Sequence, residues 1–168
     1  RAAAEFNDTI QGVIASVPSA ERFQAKRFGF TVAAHFLDGP NRPFNIGDTV
    51  AERATTNEEV LKEWSMNSKA KMKMSPKELI KFAIFMRTTV RHCQQIKNTP
   101  ALLVQGLKDR LVKPEGTYKM FESISAADKT MLIDGTAEHL IFESNTQSDV
   151  TIDTLCSWLE KHTNQNNK

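Results

Sequence analysis

Two kinds of hydrophobic pattern divide this chain. Short apolar runs, aliphatic and partly β-branched, occur at residues 12–17, 101–105 and 129–133, each edged by a proline, a glycine or a charged turn. Such runs read as buried strands. Between the first and the second, from about residue 19 to residue 97, the runs disappear and apolar residues recur at helical spacing. Phe23, Phe30, Ala34 and Leu37 predict one helix, ended by Gly39 and Pro40. Residues 41–50, with Pro43 and Gly47, predict a loop. Thr55 and Thr56 each stand three positions before a glutamate, Glu58 or Glu59, a capping box in two registers that opens a helix through Val60, Leu61 and Trp64. Ser75, Pro76 and Glu78 give a stronger start: an N-cap serine, proline at the first helical position and a glutamate to close the box. That helix carries Leu79, Phe82, Ala83, Met86 and Val90 on one face, with Ile80, Ile84 and Phe85 beside it.

After Pro100 the strand pattern returns. Pro114 starts a helix that reaches Ile124, with Tyr118 and Phe121 on its apolar side. A last helix from about residue 147 to 162 buries Ile152, Leu155, Cys156 and Leu159. Residues 1–6 read as a short helix of small residues, and 164–168 as a disordered tail. The order is strand, helical insert, then strand–helix–strand–helix, which predicts an α/β fold with a parallel sheet. It divides into a core segment at 1–18, a helical cap at 19–97, a second core segment at 98–163 and the tail. Three strands are few for such a sheet, and the run at 12–17 is left with an open apolar edge. The further strands are expected upstream in the same polypeptide or in a separate chain. The 168 residues alone are expected to be unstable and inactive.

In open parallel sheets the functional groups stand on loops beyond the carboxyl ends of the strands. Asp109 lies four residues past Gln105 and His139 six past Ile133. On neighbouring strands the two side chains can meet, the carboxylate holding one imidazole nitrogen and the other nitrogen facing a nucleophile. Taken singly, an Asp in a Gly-Leu-Lys-Asp turn reads as turn chemistry, and a loop histidine as a loop residue. It is the pairing, each in the corresponding turn, that points to catalysis. Asp134 ends a strand before Gly135 and reads as a turn-former. Glu138, next to the histidine, points away from it in an extended loop. No serine sits in a G-x-S-x-G turn.

The stretch 99–114, an apolar strand followed by Gly106-x-x-Asp109 and Val112-x-Pro114, resembles the acid-bearing segment of α/β-hydrolases. It is most similar to the monoacylglycerol lipase, lysophospholipase and serine aminopeptidase-like group. Residues 135–143 around His139 resemble that group's histidine segment, residues 12–18 the strand before its helical cap, and residues 1–6 the helix just after its nucleophile turn. The resemblance implies an α/β-hydrolase fold of which this chain holds the C-terminal strands and the inserted cap, the N-terminal strands being absent from it. It implies Asp109 as catalytic acid, His139 as catalytic base, and a nucleophile immediately before Arg1. That nucleophile is a serine in an esterase, lipase, lysophospholipase or peptidase. An aspartate there implies a dehalogenase or epoxide hydrolase, and a chain with no nucleophile a binding relative. The partners implied are a small-molecule or lipid ester and the remaining N-terminal part of the fold. Ile80, Ile84 and Phe85 could line an acyl tunnel, helped by the flexible Met66, Met72 and Met74. Ordinary packing of cap on core is the plainer reading of each.

Composition narrows the field. A hydrophobic share of 40% and a charged share of 25% are those of ordinary soluble proteins. A formal charge of +2, with phenylalanines that do not alternate with cations, argues against nucleic acid. No apolar run approaches the ~20 residues of a membrane span. Lys69, Lys71, Lys73, Lys77 and Lys81 read as a solvated face, with peripheral contact to an anionic membrane or lipid head group as the second reading. Cys93 and Cys156 have no metal-type spacing, and both are expected as buried thiols in a reducing, cytoplasmic setting. His35, His92 and His162 are expected as unpaired surface or core residues. No metal and no cofactor is expected.

Overall fold

The computed structural model describes residues 1–7, 9–18, 20–67, 72–143 and 148–163. Lys69, Lys71, the expected cap boundary at Ser19, the helix start at Gln147 and the tail lie outside the described residues. The elements, in chain order, are α1 (Ala2–Glu5), β1 (Val13–Ser16), α2 (Ala25–Asp38), β2 (Phe44–Asn45), α3 (Gly47–Ala54), α4 (Glu58–Met66), β3 (Lys73–Met74), α5 (Pro76–Arg87), α6 (Thr89–Cys93), β4 (Ala101–Gly106), α7 (Pro114–Ser123), β5 (Lys129–Asp134) and α8 (Asp149–Thr163).

The main sheet is three-stranded, in the order β1-β4-β5. Both pairings are parallel, with Val13 opposite Ala101 and Ala101 opposite Lys129. Central β4 is buried along its whole length. Its side chains alternate between two cores, as the period of two requires. Ala101 and Leu103 pack with Ala3, Cys93, Met120 and Ile124 on one face, while Leu102 and Val104 pack with Ala137, Ile141 and Trp158 on the other. The flanking strands have a neighbour on one side only among the described residues. They are not the buried strands that their apolar runs predict: Ile14 of β1 is 36% exposed and Ile133 of β5 is 49% exposed.

The helical insert carries its own small core of Val32, Ile46 and Leu79, with Phe28, Phe44 and Met74 packed against it. The face of α2 differs from expectation. Val32 is buried, whereas Phe30 and Leu37 are 79% and 90% exposed. Two positions along a helix are about 200° of rotation, so packing α2 through Phe28 and Val32 turns Phe30 outward. Residues 41–50 are not a loop. Phe44 and Asn45 pair antiparallel with Met74 and Lys73. Asn45 Oδ1 then accepts the Gly47 amide at 2.9 Å, turning the chain into α3.

Local capping decides the other boundaries. Neither expected threonine register forms at α4. Asn57 is the N-cap and takes the Glu59 amide at 3.0 Å, while Thr55 Oγ1 takes the Asn57 amide. The box at Ser75 is present, with Ser75 and Glu78 bonded reciprocally. That helix stops at Arg87, because the Thr88 hydroxyl bonds back to the Phe85 carbonyl, and Val90 belongs to α6. Tyr118 faces outward, 54% exposed, since α7 buries Gly116, Thr117 and Met120. Helix α8 is set by Trp158, whose ring would lie 2.5 Å from a Cβ at Gly12. It therefore buries Thr151, Trp158 and His162. Leu159 is exposed, and so is Cys156, while Cys93 is buried. His162 is not unpaired: Asp128 lies 3.1 Å from its Nε2 and the Trp158 carbonyl 2.6 Å from its Nδ1.

Asp134 closes the connection from β5 to α8. One oxygen accepts from the amide and hydroxyl of Thr136 and the amide of Ala137; the other accepts from Ser148 and Thr151. Burial is the largest single influence and opposes ionisation, but these donors together outweigh it, so the carboxyl is held well below its ordinary range. A carboxyl depressed by folding contributes stability above its unfolded value, about 3.9, and loses it as pH falls towards the folded value. Asp134→Asn should therefore unfold at lower urea than the parent at pH 7, with the gap narrowing below about pH 4. A gap that stays constant between pH 7 and pH 3 would contradict this role.

Candidate active site

The carboxyl ends of β4 and β5 are joined by a backbone crossing. Leu107 donates to the Asp134 carbonyl at 2.9 Å, and Lys108 to the Ala137 carbonyl at 3.0 Å. Gly106 lies directly beneath. A Cβ there would stand 2.3 Å from the Ala137 carbonyl oxygen and 2.5 Å from that of Glu138. Neither is the movable end of a side chain, so no larger residue fits without displacing the loop that leads to His139.

The crossing brings Asp109 and His139 together. His139 Nδ1 lies 2.9 Å from Asp109 Oδ2; the carboxylate side chain is 0% exposed and the imidazole 19%. Asp109 Oδ1 accepts the Leu111 and Val112 amides at 2.7 and 2.8 Å. Gln105, wholly buried at the end of β4, offers its Nε2 to Oδ2 at 3.4 Å and to the Gly106 carbonyl at 2.9 Å. Its Oε1 accepts from Thr117 of α7 at 2.6 Å. Burial alone would raise the carboxyl pKa and is the largest influence. The His139 bond and the two amides overcome it, and Asp109 is held below the usual carboxylate range. Chemically this is an oriented imidazole. An ionised carboxylate fixes the proton on Nδ1, and Nε2 is the nitrogen able to take a proton from a further group.

The other acids are used differently. Asp134 is occupied by its own turn. Glu138 points away from the imidazole to the insert, where it accepts from the amide and hydroxyl of Thr56. Arg110 stands 3.8 Å from Glu138 and donates to the Glu52 carbonyl, and the His139 amide donates to the Ala54 carbonyl. The start of α4 and the end of α3 are thus tied to both loops. Sequence patterning missed Gln105, Thr117 and this role of Glu138. The available signal was Gln105 itself, a polar residue closing an apolar run. Among the described residues no cluster of His, Cys, Asp or Glu could hold a metal ion.

Beside the Asp109 loop, helices α2, α3 and α5 enclose a cavity of about 1100 Å³ with mostly apolar walls. Ile80 is on its wall, with Leu79, Val32, Phe36 and Val50. Ile84 and Phe85 are not: they are 57% and 46% exposed, because α5 turns residues 79, 80, 83 and 86 inward. Phe85 instead lies under the Arg1 guanidinium, 3.8 Å from the ring centroid. Met66 and Met72 are also exposed, while Met74 packs in the small insert core.

Residues 1–145 match the family model described as Serine aminopeptidase, S33. No curated protein matches the chain. Among solved structures, a soluble variant of monoglyceride lipase from Saccharomyces cerevisiae, in complex with a substrate analog, is 18% identical with a TM-score of 0.78; the match covers 96% of this chain and 57% of that one. The monoacylglycerol lipase of Paleococcus ferrophilus is 21% identical with a TM-score of 0.74, covering 96% and 63%. A carboxyl esterase from Bacillus coagulans, in complex with glycerol, is 12% identical with a TM-score of 0.68, covering 95% and 59%. The chain thus spans about three-fifths of the length of each.

The crossing at Gly106 makes a direct prediction. Gly106→Ala should cost about 1–3 kcal/mol of stability through overpacking and should lengthen the Asp109–His139 contact. Urea unfolding and a crystal structure of the variant check both; an unchanged contact at unchanged stability would refute the account.

Proposed function

The chain belongs to the serine aminopeptidase S33 family and has the α/β-hydrolase fold, and from that premise we propose that it carries the acid and base of a serine hydrolase acting on carboxylic esters. The observation that carries the proposal is the 2.9 Å bond from His139 to the buried carboxylate of Asp109, beyond the ends of two adjacent parallel strands. Asp109 keeps the proton of the neutral imidazole on Nδ1. Nε2 then removes the proton of a serine hydroxyl, supplied by the part of the protein that precedes Arg1, as the serine oxygen attacks the ester carbonyl. The imidazolium is stabilised by Asp109 and gives its proton to the departing alcohol, leaving an acyl-enzyme. Water, deprotonated by the same nitrogen, releases the acid and restores the serine.

The apolar cavity beside the Asp109 loop favours an ester with an acyl or alkyl chain over a peptide. The named activities of the monoglyceride lipases and the carboxyl esterase point the same way.

The test uses the full-length polypeptide. A fluorophosphonate probe should label one serine upstream of Arg1, and a 4-nitrophenyl ester should be hydrolysed. His139→Ala and Asp109→Asn should each lower turnover by about 10²–10⁴-fold. Labelling at an unchanged rate in His139→Ala would overturn the reading.

A further inference from the structure

The cavity is apolar along its walls but not at its end near the Asp109 loop. There, residues 21–24 are pinned to the segment that follows Asp109. Phe23 donates to the Leu111 carbonyl, Lys113 donates to the Glu21 carbonyl, and Arg22 bridges Val112. Leu111 and Val112 are the residues whose amides hold Asp109. Three half-buried cations of the cavity lining gather around this junction: Arg22, Lys113 and, reaching Gln24 from α3, Arg53.

Arg22 and Arg53 have no carboxylate bonded to them among the described residues, and the Lys113 ammonium faces the Glu21 carboxylate without bonding to it. The Arg22 guanidinium lies over the Phe82 ring, 4.6 Å from its centroid. Lys113 Nζ is 5.8 Å from the Phe23 centroid. Arg53 donates to the neutral carboxamide of Gln24 at 2.6 Å. Among the described residues none of the three forms an ion pair within 4.0 Å. Glu21, the acid of the cavity lining, is bonded to Lys119, which is not on the wall, and attracts Lys113 more weakly. Burial also lowers the pKa of the Arg22 guanidinium, a charge partly withdrawn from water. Such a charge is costly unless an anion completes it.

We propose that this cavity takes a single-chain amphiphile with a phosphomonoester head, the alkyl chain lying along α2 and α5 and the phosphate resting on Arg22, Arg53 and Lys113. A phosphomonoester brings about −1.5 to −2 charges and three acceptor oxygens, which suits a cavity end carrying three cations better than a single carboxylate does. Arginine's fork geometry suits it as well. The inference rests on the hydrolase reading for the bound molecule's role as substrate, an anionic lipid ester. It does not rest on that reading for binding.

The experiment titrates the full-length protein calorimetrically, below micelle concentrations, with two non-hydrolysable probes, dodecyl phosphate and 1-O-dodecylglycerol. Dodecyl phosphate should bind at least about tenfold more tightly, and the preference should shrink at high salt. Arg22→Gln and Lys113→Gln should each abolish most of it while leaving 1-O-dodecylglycerol affinity within about twofold, which also shows that the cavity is intact. Equal affinity for the two probes, no binding of either, or a preference that survives both substitutions overturns the inference. Ester hydrolysis is read separately. Turnover of a neutral ester without phosphate preference overturns this inference alone, whereas phosphate-selective binding with no esterase activity overturns the hydrolase reading and leaves the site.

Discussion

A backbone crossing with no room for a side chain organises this molecule. At Gly106 the end of the central strand passes under the carbonyls of Ala137 and Glu138, and two amide–carbonyl bonds hold the two loops in register. Because β4 and β5 are parallel and adjacent, the crossing puts the third residue past β4 beside the fifth past β5. Asp109 can then be buried and still ionise readily, since His139 bonds to it and the same loop that carries it folds back two amides onto it. The imidazole is the last donor to that carboxylate. Its orientation is set by that bond, which the backbone crossing brings within reach.

The helical insert is not an independent appendage to this centre. It reaches the histidine loop through Ala54 and Thr56 and the acid loop through Glu52. Residues 21–24 extend the contact to the other side of the acid loop. Any movement of the insert must therefore pass through groups within a few residues of Asp109 and His139. On the proposed function, this arrangement links the shape of the cavity to the geometry of the base. Lids commonly act in that way, gating the site and excluding water.

Much of the core was legible in the sequence because its signals are local. The runs at 101–105 and 129–133 and the Ser75 cap each depend on neighbours a few residues away, and so do the turns after the strands. The pairing of Asp109 with His139 needed one further inference, that consecutive parallel strands adjoin. What was not legible depended on contacts distant in sequence. Periodicity marks apolar positions but does not say which of two apolar faces finds a partner: Cys156 and Leu159, expected on a buried face, lie outward, and so do Phe30 and Leu37, whose spacing predicts the helix. Thr55 and Thr56 have the right spacing for a capping box, but Asn57 is closer to the helix and Thr56 is taken by Glu138, 82 residues away. Gln105 reads as a strand end; only the packing of α7, which brings Thr117 against it, reveals a carboxamide held beneath the acid.

The most direct test of the central claim is the proton on His139 Nδ1, observed by nuclear magnetic resonance in the full-length protein. A strongly deshielded ring proton that disappears in Asp109→Asn and is retained in Glu138→Gln is the result expected of an imidazole oriented by Asp109. The absence of such a proton at any pH where the protein is folded, or its persistence in Asp109→Asn, would mean that Asp109 and His139 do not form the working pair on which the proposed function depends.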